Sequence, residues 1–141
     1  MKEAVKSYGE FGPVYYQFKN KPKEAILFLK KNKNGECAKA LFRKEIGYVD
    51  IVWGQNDPKT NRGFGLKHII EKHRKEFKRF GIPVEDFIPF VFMMGIITKK
   101  DDDFKILIDN GNERVVLTTK WDGKHKKLLL SAYFVKKKPK K

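Results

Sequence analysis

A chain of 141 residues that is 40% hydrophobic, with twelve Phe, five Tyr and two Trp, has the apolar material for one folded core and is not a disordered polymer. Its single cysteine, Cys37, excludes an internal disulfide and a cysteine-rich zinc module; it fits a reducing compartment and reads as a small buried apolar residue. Thirty-two Lys and Arg against seventeen Asp and Glu leave a formal charge of +15, which either attracts polyanions in a salt-dependent way or forms a merely solvated lysine-rich surface.

The opening MKEAVKSYGEFGPVYY shows no apolar signal-peptide region, so the expected location is cytoplasmic, whether the protein acts where it is made or after delivery into a target cell. Residues 1–19, aromatic and punctuated by glycine, read as an irregular arm packed on the body. NKPKEAILFLKKNKNG at 20–35 predicts a helix, with Asn20 as cap, Pro22 just inside the start and Asn34-Gly35 as the stop. ECAKALFRK and IGYVDIVWG predict two strands, and QNDPKTNRGFG a loop. From 65 to 80, Leu66, Ile69, Ile70, His73, Phe77 and Phe80 keep the rhythm of one helical face, which Gly81 and Pro83 end. A shorter helix is expected at 85–94, with Glu85 and Asp86 in its first turn. The apolar run FIPFVFMMGII is too short to cross a bilayer and is interrupted by Pro89, so no membrane partner is expected.

The last third predicts three antiparallel strands joined by turns at DNGN and WDGKHK, followed by the basic tail KKKPKK. The expected fold is α+β: N-terminal helices packed on an antiparallel sheet of about four strands, in one domain over 1–135 with a tail at 136–141.

Two of three histidines fall in GFGLKHIIEKHRKEF. At about 100° per residue His73 lies in the apolar stripe, while His68 points to the polar side among Lys67, Lys72 and Lys75, so the two are not expected to share a face. His68-x-x-Glu71-x-His73 has neither of the zinc-protease spacings, so neither a metal nor another cofactor is expected. His73 is either a core histidine bonded to backbone or a partly buried acid/base group, and His68 either a surface residue or a phosphate or base contact. If the second turn is centred between Gly123 and Lys124, Tyr133 falls opposite Arg114 and Ser131 opposite Val116; Arg114, Tyr133, Ser131, Thr118 and Lys120 then share one sheet face, which is either solvent-facing or a site.

EIGYVDIVWG, GFGLKHIIEKH, ERVVLTT and KKLLLSAY, in this order, resemble the phage-type barnase–EndoU–colicin–RelE-like (BECR) nuclease domains found in phage head-morphogenesis proteins and bacterial toxins. With KPKEAILFLKKNKNGECAKALF upstream, the resemblance spans about 20 to 135. It implies metal-independent RNA cleavage by His73, with His68 as second proton-transfer group, Arg114, and Ser131 with Tyr133. Ser131 stands where the family more often has Thr, which keeps the hydroxyl. Lys120, Thr118 and Lys67 are added as substrate contacts. The expected partners are RNA, tRNA among the candidates, and an acidic immunity or antitoxin protein. The alternatives are a non-catalytic nucleic-acid-binding module and a vestigial phage structural appendage.

Overall fold

A computed structural model of the protein describes residues 5–60, 62–100 and 104–135, with the side chains of 5–7, 99 and 100 left aside. The predicted basic tail at 136–141 lies outside the described residues. The elements run β1 (Val5–Gly9), β2 (Gly12–Tyr15), α1 (Pro22–Asn32), β3 (Glu36–Arg43), β4 (Gly47–Val52), β5 (Gln55–Asn56), β6 (Gly63–Phe64), α2 (Gly65–Phe80), α3 (Val84–Met94), β7 (Ile96–Lys100), β8 (Lys105–Asp109), β9 (Glu113–Trp121) and β10 (Lys124–Phe134).

The class is α+β as expected, but the sheet has eight strands rather than about four, in the order β1-β2-β3-β4-β10-β9-β8-β7. Three features account for the difference. The supposed irregular arm is a hairpin, β1–β2, and β2 joins β3 in parallel at Val14↔Glu36 and Tyr15↔Cys37 through the crossover of α1. The segment after α3 forms an edge strand, β7, paired along β8 from Ile96↔Asp109 to Lys100↔Lys105. Finally, β4 and β10 meet in parallel at Leu128↔Asp50, fusing the N-terminal hairpins and the C-terminal meander into one sheet. Helices and strands are therefore interleaved along the chain, not helices first.

Helix α1 begins on Pro22 with Lys21, not Asn20, at its cap, and ends at Lys33 in the left-handed region (φ 58°). Asn20 itself sits at φ 53° outside the helix. The three helices cover one sheet face, where Ile26, Leu29, Leu66, Ile69, Phe87 and Phe92 meet Leu41, Ile51, Ile108, Leu117 and Leu129 in one core. Each such fully buried side chain contributes about 1.5–3 kcal/mol. Cys37 is buried in this core, as the sequence reading of a small buried apolar residue expects, and burial pushes its thiol up to about 12.

The β4–β10 junction rests on charge. Lys126 Nζ reaches Glu36 Oε2 at 2.6 Å and Asp50 Oδ2 at 2.8 Å. Burial pushes the Glu36 carboxyl up and opposes the Lys126 charge, but bonds to Asp50 and Glu36 leave Lys126 raised overall. Lys126→Met strands a buried carboxylate beside another, and is expected to cost about 3 kcal/mol in urea denaturation at neutral pH. A raised acid favours folding when protonated, so the deficit shrinks as pH falls through the carboxylate range. Equal denaturation midpoints for variant and wild type would show that the junction does not depend on this lysine.

Candidate active site

The site is built where α2 runs beside β10. Gly54 and Gly65, at φ 77° and 83°, admit the close approach that starts α2: a Cβ on Gly54 would stand 2.0 Å from the Phe64 carbonyl oxygen, and one on Gly65 2.9 Å from that of Trp53. The predicted loop thereby folds as the β5–β6 ribbon, with Asn56↔Gly63 paired, and covers one side of α2. Farther along, Glu76 Oε1 of α2 accepts the backbone N–H of Phe134 in β10 at 3.4 Å.

That ribbon overturns the expectation for His68. The residue is 6% exposed, not on a polar surface, and its ring Nδ1 stands 2.9 Å from Asn56 Oδ1. Asn56 Nδ2 donates to Glu71 Oε1 at 3.2 Å, which turns the amide oxygen toward the imidazole. Because that oxygen only accepts, Nδ1 carries the hydrogen and the neutral ring keeps Nε2 as a proton acceptor. Burial first, then the charge of Lys72 and of His73, lowers the His68 pKa to about 4.

The two histidines also come together, against expectation. On an ideal helix residues five apart lie about 140° apart. The backbone leaves the helical basin at His73 (φ −111°, ψ 18°), and the rings stand 6.1 Å apart, centroid to centroid, nearly perpendicular. His73 is 9% exposed, its Nδ1 is 3.5 Å from Glu76 Oε1, and its ring is 5.4 Å from that of Tyr133.

The strand pairing carries the chain of groups onward. Tyr133 pairs with Arg114 and Ser131 with Val116, as the sequence predicts, although the turn is not where that prediction put it. The turn is Asp122-Gly123, with φ of 52° and 79°, one residue early. Two bulges on β10, between His125 and Leu128 and between Leu129 and Ser131, each add one residue and restore the pairing. Arg114 Nη1 donates toward the Tyr133 hydroxyl at 3.5 Å, and its Nε and Nη2 each lie 2.8 Å from Asp109 Oδ2. Asp109 is in turn held below the usual carboxylate range by the Gly111 N–H, then by Arg114.

His68, His73, Tyr133 and Arg114 thus form one connected row, with Ser131 two residues from Tyr133 on the same strand face. The remaining sequence-predicted contacts lie elsewhere. Thr118 is buried, and its hydroxyl hydrogen is already engaged by the Lys120 carbonyl at 2.8 Å. Lys120 lies six residues from Arg114, roughly 20 Å along an extended strand, with its ammonium 4.4 Å from the Phe104 ring centroid. Lys67 lines a separate groove with Lys30, Lys33 and Arg74. Asn56, Glu76 and Asp109 were not singled out in the sequence, and Glu71 was named only within a rejected zinc-protease spacing. Asp109 was not legible, since a two-residue turn at Asn110-Gly111 would set it opposite Asn112, whereas the hairpin centres between Gly111 and Asn112 and sets it opposite Arg114. Among the described residues no cluster of three or more His, Cys, Asp or Glu is arranged to hold a metal ion.

One imidazole of fixed tautomer, a second imidazole beside a carboxylate and a clamped guanidinium, on a body of charge +15, equip a protein that handles phosphodiesters. The chain belongs to the family described as phage-Barnase-EndoU-ColicinE5/D-RelE like nuclease 1, whose model matches residues 40–139. The match begins within β3, later than the residue 20 suggested by the quoted segments, and takes in the whole row. No curated protein and no solved structure matches the chain significantly. No helix among the described residues is long and apolar enough to cross a membrane.

Proposed function

We propose that this nuclease-family protein is an endoribonuclease that cleaves by internal transphosphorylation. The observation that carries the reading is the row of unlike groups: a neutral imidazole, a second imidazole beside a carboxylate, and a guanidinium fixed at its far end. His68 Nε2 takes the proton of a ribose 2′-hydroxyl. The 2′-oxygen attacks phosphorus, the P–O5′ bond breaks, and His73 gives its proton to the departing 5′-oxygen. Arg114, with Tyr133 and Ser131, holds the phosphoryl oxygens as their charge grows. The products are a 2′,3′-cyclic phosphate and a 5′-hydroxyl, and proton exchange with water resets both imidazoles. The nucleophile belongs to the substrate, so the route needs RNA and no metal.

A toxin or effector role goes with this activity. The charge of +15 favours an acidic immunity protein as its inhibitor. The test is incubation with total tRNA in excess EDTA, followed by end-group analysis. Cyclic phosphate ends are expected. Intact RNA, bound in a salt-sensitive way, would overturn the enzyme reading and leave a nucleic-acid-binding module.

A further inference from the structure

On the side of α2 away from β10 a groove runs between α1 and α2. Lys30 and Lys33 border it from α1 and its cap, and Lys67, Arg74 and Lys78 from α2, with Ile70 and Phe77 between them. Lys30 is paired with Glu85 at 2.9 Å, and Glu71 is engaged by Asn56. Among the described residues the other four cations have no such ion pair. Lys67, Arg74 and Lys78 are spaced seven and four residues apart, so they form one stripe about 16 Å long.

The groove does not end at Lys33. Lys33 and Trp53 also line a second cleft, with Phe11, Phe64 and Trp121. All four aromatic rings are half-buried, so each keeps exposed surface. Phe64 and Trp121 lie 4.6 Å apart, centroid to centroid, and Phe11 lies 5.6 Å from Trp121. Gln55 adds an exposed amide to the same cleft. A row of cations opening into a group of aromatic faces is the chemistry that holds unpaired nucleotides: ammonium and guanidinium groups follow the phosphates, and exposed rings stack the bases. A duplex hides those base faces, and an acidic protein has no need of them.

We propose that the α1–α2 groove and the aromatic cleft form one track for single-stranded RNA, holding the substrate beyond the phosphate that is cut. The proposal rests on the nuclease reading for the identity of the strand as substrate. Phe64 links the aromatic cleft to the active site, because it caps α2 one helical turn before His68. A strand leaving the aromatic cleft around the start of α2 therefore reaches the histidine row.

The protein's two tryptophans, Trp53 and Trp121, both line the cleft, so their fluorescence reports on it alone. The experiment titrates the whole protein with an oligothymidylate of about twelve nucleotides, which lacks the 2′-hydroxyl and cannot be cut by the proposed route. Quenching is expected with the single strand and little with a duplex of equal length. Four phosphate contacts predict an affinity loss of about 50-fold between about 50 and 200 mM salt. The triple variant Lys33→Glu, Arg74→Glu, Lys78→Glu is expected to bind at least about tenfold more weakly and to lose most of that salt slope. Absence of quenching, equal quenching by duplex, unchanged affinity of the triple variant, or equal competition by polyglutamate would each overturn the track. Quenching without tRNA cleavage in the separate assay keeps the track and overturns the nuclease reading; cleavage without quenching does the reverse.

Discussion

Replacing either His68 or His73 by Ala is expected to lower RNA cleavage by about 10²–10⁴-fold, the contribution of one positioned proton-transfer group. Removing both is expected to cost little more than removing one, because base and acid serve a single transition state. The two singles differ in their dependence on pH. His68 is lowered to about 4 in the free protein, so the acidic limb of kcat/KM falls near that value and is absent in His68→Ala. A phosphodiester docked beside Arg114 brings negative charge near the ring and raises its pKa. The limb of kcat, which reports the substrate complex, therefore lies at higher pH than that of kcat/KM. The same shift acts on folding. The unfolded histidine binds a proton near 6.5 while the folded one resists it to about 4, so stability falls as pH drops through that interval and is fully present above it. His68→Gln removes this dependence. Coincident acidic limbs for the two kinetic constants, or wild-type activity in either Ala variant with unchanged circular dichroism, would remove the histidines from the mechanism.

How much of this was legible depended on whether the deciding contact was local. The α2 stripe, the Gly81 stop and the hairpins at DNGN and Asp122-Gly123 are short-range signals, and each is found in the fold, the first hairpin centred one residue past Asn110-Gly111. The β1–β2 hairpin was not legible, because its strands are five and four residues long and β2 is secured by parallel pairing to β3, beyond α1. His68 was misread for two reasons. An ideal wheel has no bend at His73, and nothing local says that Asn56, twelve residues upstream, will cover that side of the helix. The pairing of Tyr133 with Arg114 was right in outcome only: two β10 bulges cancel a turn assigned one residue late. An alternation rule that assumes a regular strand cannot foresee either displacement.

Arg114→Ala is expected to reduce kcat by about 10²–10³, the loss that follows removal of one preorganised group aimed at developing charge. The reduction falls on kcat and kcat/KM alike, since the guanidinium gains most when the phosphorane carries its extra charge. Arg114→Lys is not a rescue. Asp109 Oδ2 holds two nitrogens along one edge of the planar fork and the Tyr133 hydroxyl meets the third; an ammonium keeps the charge but has no fork to fix. Asp109→Asn leaves Arg114 charged but loosely held, so its loss is smaller than that of Arg114→Ala and its activity recovers no further on raising pH. Stability separates these roles from a structural one. The Arg114–Asp109 pair is partly exposed, with side chains 30% and 25% accessible, and such pairs contribute about 0–1 kcal/mol. Arg114→Ala therefore unfolds within a few degrees of wild type while its turnover collapses. Retained kcat with a raised KM would instead make Arg114 a binding contact, and would move charge stabilisation at the phosphorane to another cation of the row.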